Sequence, residues 1–217
     1  LHAYGWEESA FPAEWVQKFN TYLQCITVMS YEVQKILIDN GVNIPIKVCG
    51  LGLDHIHRIQ EDNNFHINAK SYKFLHISSC FPRKGVDLLL KSYFKAFSDV
   101  DNVSLIIKTF DNPHNNIEAE LIKLQQNNKN FPDVKIIKED LSAEQLKSLY
   151  LQCNVLVAPS RGEGFGLPIG EAMQLGLPVI TTAWGGQSDF CNDSNCWLVD
   201  YEFSKSKTHF NLDFSYW

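Results

Sequence analysis

From residue 73 onward, apolar positions recur in two alternating periods. Short continuous apolar runs at 74–77, 103–107, 134–137, 155–157, 178–181 and 196–199 read as buried strands. Between the first five lie amphipathic runs at 86–97, 117–127, 143–152 and 169–175, which read as helices. Strands this short and apolar, separated by helices, predict a parallel sheet covered on both faces. Upstream the pattern is less regular. Residues 15–22 predict a helix and 25–29 a strand. Ser30 is placed to cap a helix running to Asp39, Gly41 to stop it, and 46–49 form a second short strand. Residues 54–69 are polar and follow no period, as a loop or linker would.

In open parallel sheets ligands bind beyond the carboxyl ends of the strands. Two loops fall on that side and are expected to face one cleft. The first is Ser78-Ser79-Cys80-Phe81-Pro82-Arg83-Lys84-Gly85, after the strand at 74–77. The second follows Val155-Leu156-Val157-Ala158 and runs Ser160-Arg161-Gly162-Glu163-Gly164-Phe165-Gly166-Leu167-Pro168 into the helix that carries Glu171. Its glycines permit positive φ and close approach, leaving backbone amides uncovered at a helix N-terminus, where an anion is favoured. Two carboxylates beside an anion site require a ligand that also donates hydroxyl groups. A sugar nucleotide has both. Of the cations in the first loop, Lys84 can meet a phosphate as a point charge and Arg83 as a fork; a solvated surface charge is the competing reading. For Glu171 the competing reading is an ordinary solvent-facing helix position.

Composition narrows the class. The chain has 217 residues, enough for one large domain or one domain with part of another, and 45% are hydrophobic. Its 19 basic against 25 acidic residues give a net charge of −6, which argues against a nucleic-acid binder, since that would need a basic face. No apolar run reaches the length of a membrane span and no signal-peptide pattern opens the chain. Cys25, Cys49, Cys80 and Cys153 lie in or beside apolar strand-like runs, as buried thiols do; Cys191 and Cys196 alone invite a disulfide or a metal, and reduced cytosolic thiols are the expectation. Asp99-Val100-Asp101 and His55-Ile56-His57 could suggest metals. The first is better read as a solvated turn and the second as linker hydrogen bonding. Trp6, Trp15 and Trp184 could stack on sugars, although core packing is the commoner use. Both ends look cut from a longer protein.

The segments Phe74-Leu75-His76-Ile77, Arg83-Lys84-Gly85-Val86-Asp87, Glu163-Gly164-Phe165-Gly166-Leu167-Pro168 and Glu171-Ala172-Met173, with Gly176-Leu177-Pro178-Val179-Ile180 and Gly185-Gly186, together resemble the group-1 (family four) retaining glycosyltransferases of the GT-B fold. The resemblance spans residues 73 to about 200, and the paired glutamates are its most specific part. It implies a Rossmann-like parallel sheet flanked by helices at 73–217, the donor-binding domain, shortened at its C-terminus. Residues 54–72 would be linker and 1–53 a remnant of the acceptor domain, a partial second α/β domain.

The resemblance also implies roles. Lys84 would contact the donor diphosphate, and Glu163 would lie near the transferred sugar and its leaving group. The amides of Gly164, Phe165, Gly166 and Leu167 would meet sugar hydroxyls or phosphate, and Glu171 would accept from the ribose hydroxyls. Transfer would be of a hexosyl unit from a nucleotide diphosphate sugar to an acceptor hydroxyl, with retention. It would need neither metal nor cofactor, because cations and helix amides stabilise the departing diphosphate. The acceptor, a glycan, lipid or protein, stays open; the remaining partner is the rest of the parent polypeptide, and the expected location is cytoplasmic or peripheral at the inner membrane face. Where the family often has Gly-Arg this chain has Ser78-Ser79, so Arg83, or the hydroxyls and amides of Ser78 and Ser79, would take over the second phosphate contact. Lys108-Thr109-Phe110-Asp111 also departs from the family's glycine, so base preference does not carry over. A nucleotide-sugar epimerase or sugar phosphorylase on the same fold, or a non-catalytic nucleotide-sugar-binding module, fits the same residues.

Overall fold

A computed structural model describes residues 1–206, 212 and 214–217. In chain order its elements are α1 (Ala13–Tyr22), β1 (Ile26–Val28), α2 (Tyr31–Asp39), β2 (Ile46–Val48), α3 (His55–Arg58) and β3 (Tyr72–Ile77). Then come a 3-10 turn (Pro82–Lys84), α4 (Val86–Ala96), β4 (Val103–Lys108), α5 (Ile117–Gln126), β5 (Asp133–Ile137) and α6 (Ala143–Leu151). The last are β6 (Val155–Ala158), α7 (Leu167–Gln174), β7 (Val179–Thr182), a second 3-10 turn (Gly186–Asp189) and β8 (Trp197–Val199). By packing the chain divides into two compact units. One holds Leu1–Gly52, Arg161–Leu167 and Thr182–Trp217; the other holds Leu53–Ser160 and Pro168–Thr181.

Among the described residues the larger sheet has the order β5-β4-β3-β6-β7-β8, and its ladders from β5 through β7 are parallel. Each predicted strand is present within two residues of its expected bounds. Period-two alternation explains the packing: Leu105 and Ile107 join Leu89, Leu90, Tyr93 and Val155 in one core cluster, while Ile106 between them points to the opposite face. Helix α6 begins with a capping box, in which Ser142 accepts from the Gln145 amide and Gln145 accepts in return from the Ser142 amide. Helix α7 starts two residues earlier than the apolar pattern predicts, with Pro168 in its first turn, where a missing N–H costs nothing.

The aperiodic stretch 54–69 contains α3, a helix its polarity conceals. Beyond α3 its backbone is held by side chains rather than by a ladder. Ser148 of α6 accepts from the Asp62 amide and donates to the Asp62 carbonyl. Gln152, one turn further on, donates to the Phe65 carbonyl and accepts from the Ile67 amide. Lys147 donates to the Ile59 carbonyl and Ser104 accepts from the Lys70 amide. Backbone groups satisfied this way order a segment without any hydrophobic period.

The other unit has its own core. Trp6, Phe11, Val28, Val33, Leu37 and Ile46 are buried together around a two-stranded parallel ladder of β1 and β2. Trp6, Phe11 and Trp15 meet edge to face, so two of the three tryptophans weighed for sugar stacking serve packing instead. Trp184 packs on Phe203. Ser30 caps α2 by accepting from the Val33 amide, as its position predicts, and Asp189 accepts from the Tyr31 amide at the same helix start.

Among the described residues no helix is long and apolar enough to cross a membrane. All six cysteines are free thiols; Cys80, Cys153 and Cys191 are buried, but Cys25 and Cys49 are exposed, against the expectation that strand-adjacent thiols are buried. The reason is that both lie just outside their short strands rather than within them. Asp101 accepts from the amide and hydroxyl of Ser98, so the Asp99-Val100-Asp101 run closes a turn.

Candidate active site

Strand order locates the switch point of the sheet. The chain lays down β3, β4 and β5 towards one edge, then crosses back to place β6 and β7 on the other side of β3. The switch point lies between β3 and β6, where the two following connections leave in opposite directions and open a crevice beyond the strand ends. The loop at Ser78 leaves β3 there, and the loop at Pro159 leaves β6 there.

The first loop is built on its own hydrogen bonds. His76, 1% exposed in β3, lies 2.8 Å through Nδ1 from the Val157 carbonyl, so Nδ1 carries a proton. Its Nε2 lies 2.8 Å from Ser78 Oγ, and Ser78 Oγ in turn accepts from the Cys80 amide at 3.0 Å. The Ser78 hydroxyl is thus used within the turn, and Cys80 beyond it adopts φ +54°. The Ser79 carbonyl accepts from Asn112. Arg83 and Lys84, both half-buried, lie on the 3-10 turn that this arrangement projects from the sheet. Gly85 ends that turn at φ +68°, pressed so close to the end of β6 that a β-carbon there would lie 2.0 Å from the Pro159 carbonyl oxygen. No other residue type fits, and the contact brings Lys84 to the strand ends at the switch point.

Glu163, 8% exposed, and the amides of Gly164, Phe165 and Gly166 lie in the compact unit that also holds Gly185 and Gly186. The Glu163 carbonyl accepts from the Gly186 amide at 2.7 Å. A β-carbon on Gly186 would lie 2.1 Å from the Gly164 carbonyl oxygen, and one on Gly162 would lie 2.6 Å from that of Glu7. Of the three glycines in this loop only Gly166 has positive φ, so Gly162 is required by close packing of protein backbone. Phe165 is buried and packs on Phe190. Leu167 opens α7.

Glu171 occupies the middle of α7 and is 7% exposed, which removes the reading of a solvent-facing position. Both its oxygens have donors within the same unit. Tyr150 donates to Oε2 at 2.8 Å, and His55 Nε2 lies 3.1 Å from Oε1. One turn along α7, Gln174 Oε1 lies 2.8 Å from His57 Nε2. The His-Ile-His run therefore hydrogen-bonds to side chains of α7, as the hydrogen-bonding reading expects. Helix α7 lies close against the chain before α3, since a β-carbon on Gly170 would lie 2.6 Å from Leu53. Burial, and then the Glu171 charge, hold the Tyr150 hydroxyl well above the ordinary phenol range, so it stays protonated and can donate. Neither Tyr150 nor the pairing of His55 with Glu171 is readable in the sequence. The one available signal was a tyrosine at a buried helix position, whose hydroxyl needs a partner.

Among the described residues no three His, Cys, Asp or Glu side chains converge as a metal ion would require. The Cys191 thiol is pushed up to about 12, chiefly by burial and secondarily by Cys196, so it is held protonated.

A Rossmann-like parallel sheet with helices around it and loops gathered at a switch point is the architecture of the GT-B glycosyltransferases. Solved structures that share it include sucrose-phosphate synthase from Thermosynechococcus elongatus, at TM-score 0.69 and 21% identity over 87% of this chain and 49% of that one, and Anabaena HepE in complex with UDP-glucose, at TM-score 0.69 and 20% identity over 88% and 54%. The family model described as glycosyl transferases group 1 matches residues 57–206, and the chain belongs to that family. Among curated relatives, an uncharacterized glycosyltransferase of Methanocaldococcus jannaschii is 32% identical over 128 residues, 58% of this chain and 33% of that protein. The capsular polysaccharide biosynthesis glycosyltransferase CapM of Staphylococcus aureus is 32% identical over 155 residues, 66% and 39% respectively. The chain thus matches only 33% and 39% of the length of these relatives.

Proposed function

We propose that this chain carries the nucleotide-sugar-binding part of a glycosyltransferase that moves a hexosyl unit from a nucleotide diphosphate sugar to an acceptor hydroxyl, with retention and without a metal. The observation that carries the reading is the placement of Lys84 at the switch point, held there by the contact of Gly85 on Pro159. In this reading Lys84, with Arg83, meets the diphosphate as it departs and supplies the charge a metal would otherwise bring. Glu171, buried and ready to accept, binds the ribose hydroxyls. Glu163 acts at the transferred sugar, and the amides of Gly164, Phe165, Gly166 and Leu167 meet its hydroxyls or the phosphate. With the Ser78 hydroxyl used inside its turn, the diphosphate is left to Lys84, Arg83 and the loop amides, among them that of Ser79.

Residues 73–217 correspond in this proposal to the donor domain, 54–72 to the linker and 1–53 to a remnant of the acceptor domain. The names of capsule and O-antigen relatives support a place in surface polysaccharide synthesis. Isothermal calorimetry with uridine, guanosine and adenosine diphosphates and their common sugars tests the proposal. Binding of at least one is expected, with no transferase turnover by this chain alone. Absence of binding to all of them would overturn the donor-site reading, and turnover by the chain alone would overturn its division of labour.

A further inference from the structure

The two donors on Glu171 decide what that carboxylate can still accept. A carboxylate offers about four lone-pair sites, two on each oxygen. Tyr150 takes one on Oε2 and His55 takes one on Oε1. One acceptor site per oxygen is left, and the pair spans the spacing of two neighbouring hydroxyls. A vicinal diol brings two O–H donors, one for each. Tyr150 is fully buried and rises from α6, whereas His55 comes from α3, so the carboxylate is gripped from two elements and cannot turn about its last torsion without losing a bond. The second rung, His57 on Gln174, and the close approach of Leu53 to Gly170 keep α3 against α7 and hold His55 in reach.

We infer that Tyr150 and His55 are positioning residues that orient Glu171 to read a vicinal diol, so that the site selects a ribonucleoside diphosphate over its 2′- and 3′-deoxy forms. The inference rests on the reading of Glu171 as the ribose acceptor. It adds the residues that make that acceptor selective. Neither touches the ligand; each acts through the carboxylate. Loss of either donor frees the carboxylate to rotate, and the two diol hydroxyls are then no longer met together.

The test is the affinity ratio of ribo to deoxy ligand, measured by calorimetry with whichever of uridine, guanosine and adenosine diphosphate binds best and its 2′-deoxy and 3′-deoxy analogues. The unaltered chain is expected to prefer the ribo form by about tenfold over either deoxy form, the scale of one hydrogen bond to a charged group. Glu171→Ala should bring the ratio close to one. Tyr150→Phe, which keeps the ring and its packing, and His55→Ala should each lower the ratio several-fold. His55→Gln, which can place an N–H near the position of Nε2, should restore it. A urea denaturation of each variant separates folding from positioning, because a purely structural role lowers stability and leaves the ratio unchanged. A ratio unchanged in Glu171→Ala overturns the ribose reading itself. A ratio lost in Glu171→Ala but kept in both Tyr150→Phe and His55→Ala overturns the positioning inference alone. Failure of all three diphosphates to bind overturns both.

Discussion

Replacing Gly85 with alanine should damage the chain more than its backbone angle alone requires. At φ +68° a residue with a β-carbon costs about 1–2 kcal/mol. The added carbon would also lie 2.0 Å from the Pro159 carbonyl oxygen, well inside contact distance, so the turn and the end of β6 must separate. Separation strains the Gly85 carbonyl, which accepts from the amides of Leu88 and Leu89 in the first turn of α4. Losing one such bond costs about 1 kcal/mol, and the total comes to about 2–3 kcal/mol. Gly176→Ala is the control: it has φ +72° and nothing within 4 Å of an added β-carbon, so it bears only the angular term. Both positions belong to the same compact unit, so urea denaturation followed by circular dichroism compares them directly. Gly85→Ala should lie about 1 kcal/mol below Gly176→Ala and should also lose nucleoside diphosphate affinity, since Lys84 is its neighbour. Equal losses of stability would refute the claim that contact with Pro159 holds this turn.

Other outcomes follow from the same geometry. Glu171→Gln should weaken nucleoside diphosphate binding about tenfold by calorimetry, whereas Glu163→Gln should leave that affinity nearly intact and slow sugar transfer in the full-length enzyme; equal losses of affinity would contradict the separation of roles. Lys84→Met should weaken diphosphate binding and flatten its dependence on salt, read by titration at two ionic strengths. Cys25 and Cys49 should react first with a thiol reagent at neutral pH, and Cys80, Cys153 and Cys191 only after denaturation, as counted by mass spectrometry. Burial raises Cys153 from the ordinary 9.0 to about 12, so its contribution to stability is complete below pH 9 and is lost as pH rises from there towards 12. Alkaline unfolding should begin later in Cys153→Ser than in the unaltered chain when each is normalised to its stability at pH 7.

Period and punctuation in the sequence determined the strands, the helices between them and the two loops at their carboxyl ends, because an apolar run of four or five residues bounded by turn signals has few other places in a fold. The paired glutamates and the lysine-glycine turn were legible for the same reason: each needs particular residue types at particular spacings. Order of strands was not legible, since a crossover leaves no mark on local pattern, and the switch point between β3 and β6 emerged only when the sheet was assembled. The stretch at 54–69 hid a helix and a tethered backbone because Lys147, Ser148 and Gln152, which help to hold it, lie far along the chain, on α6 and at its C-terminal cap. Tertiary structure alone decided the surroundings of Glu171. Tyr150 and His55 reach it across 21 and 116 residues, and a hydrogen bond between side chains so separated depends on packing, which no local pattern encodes.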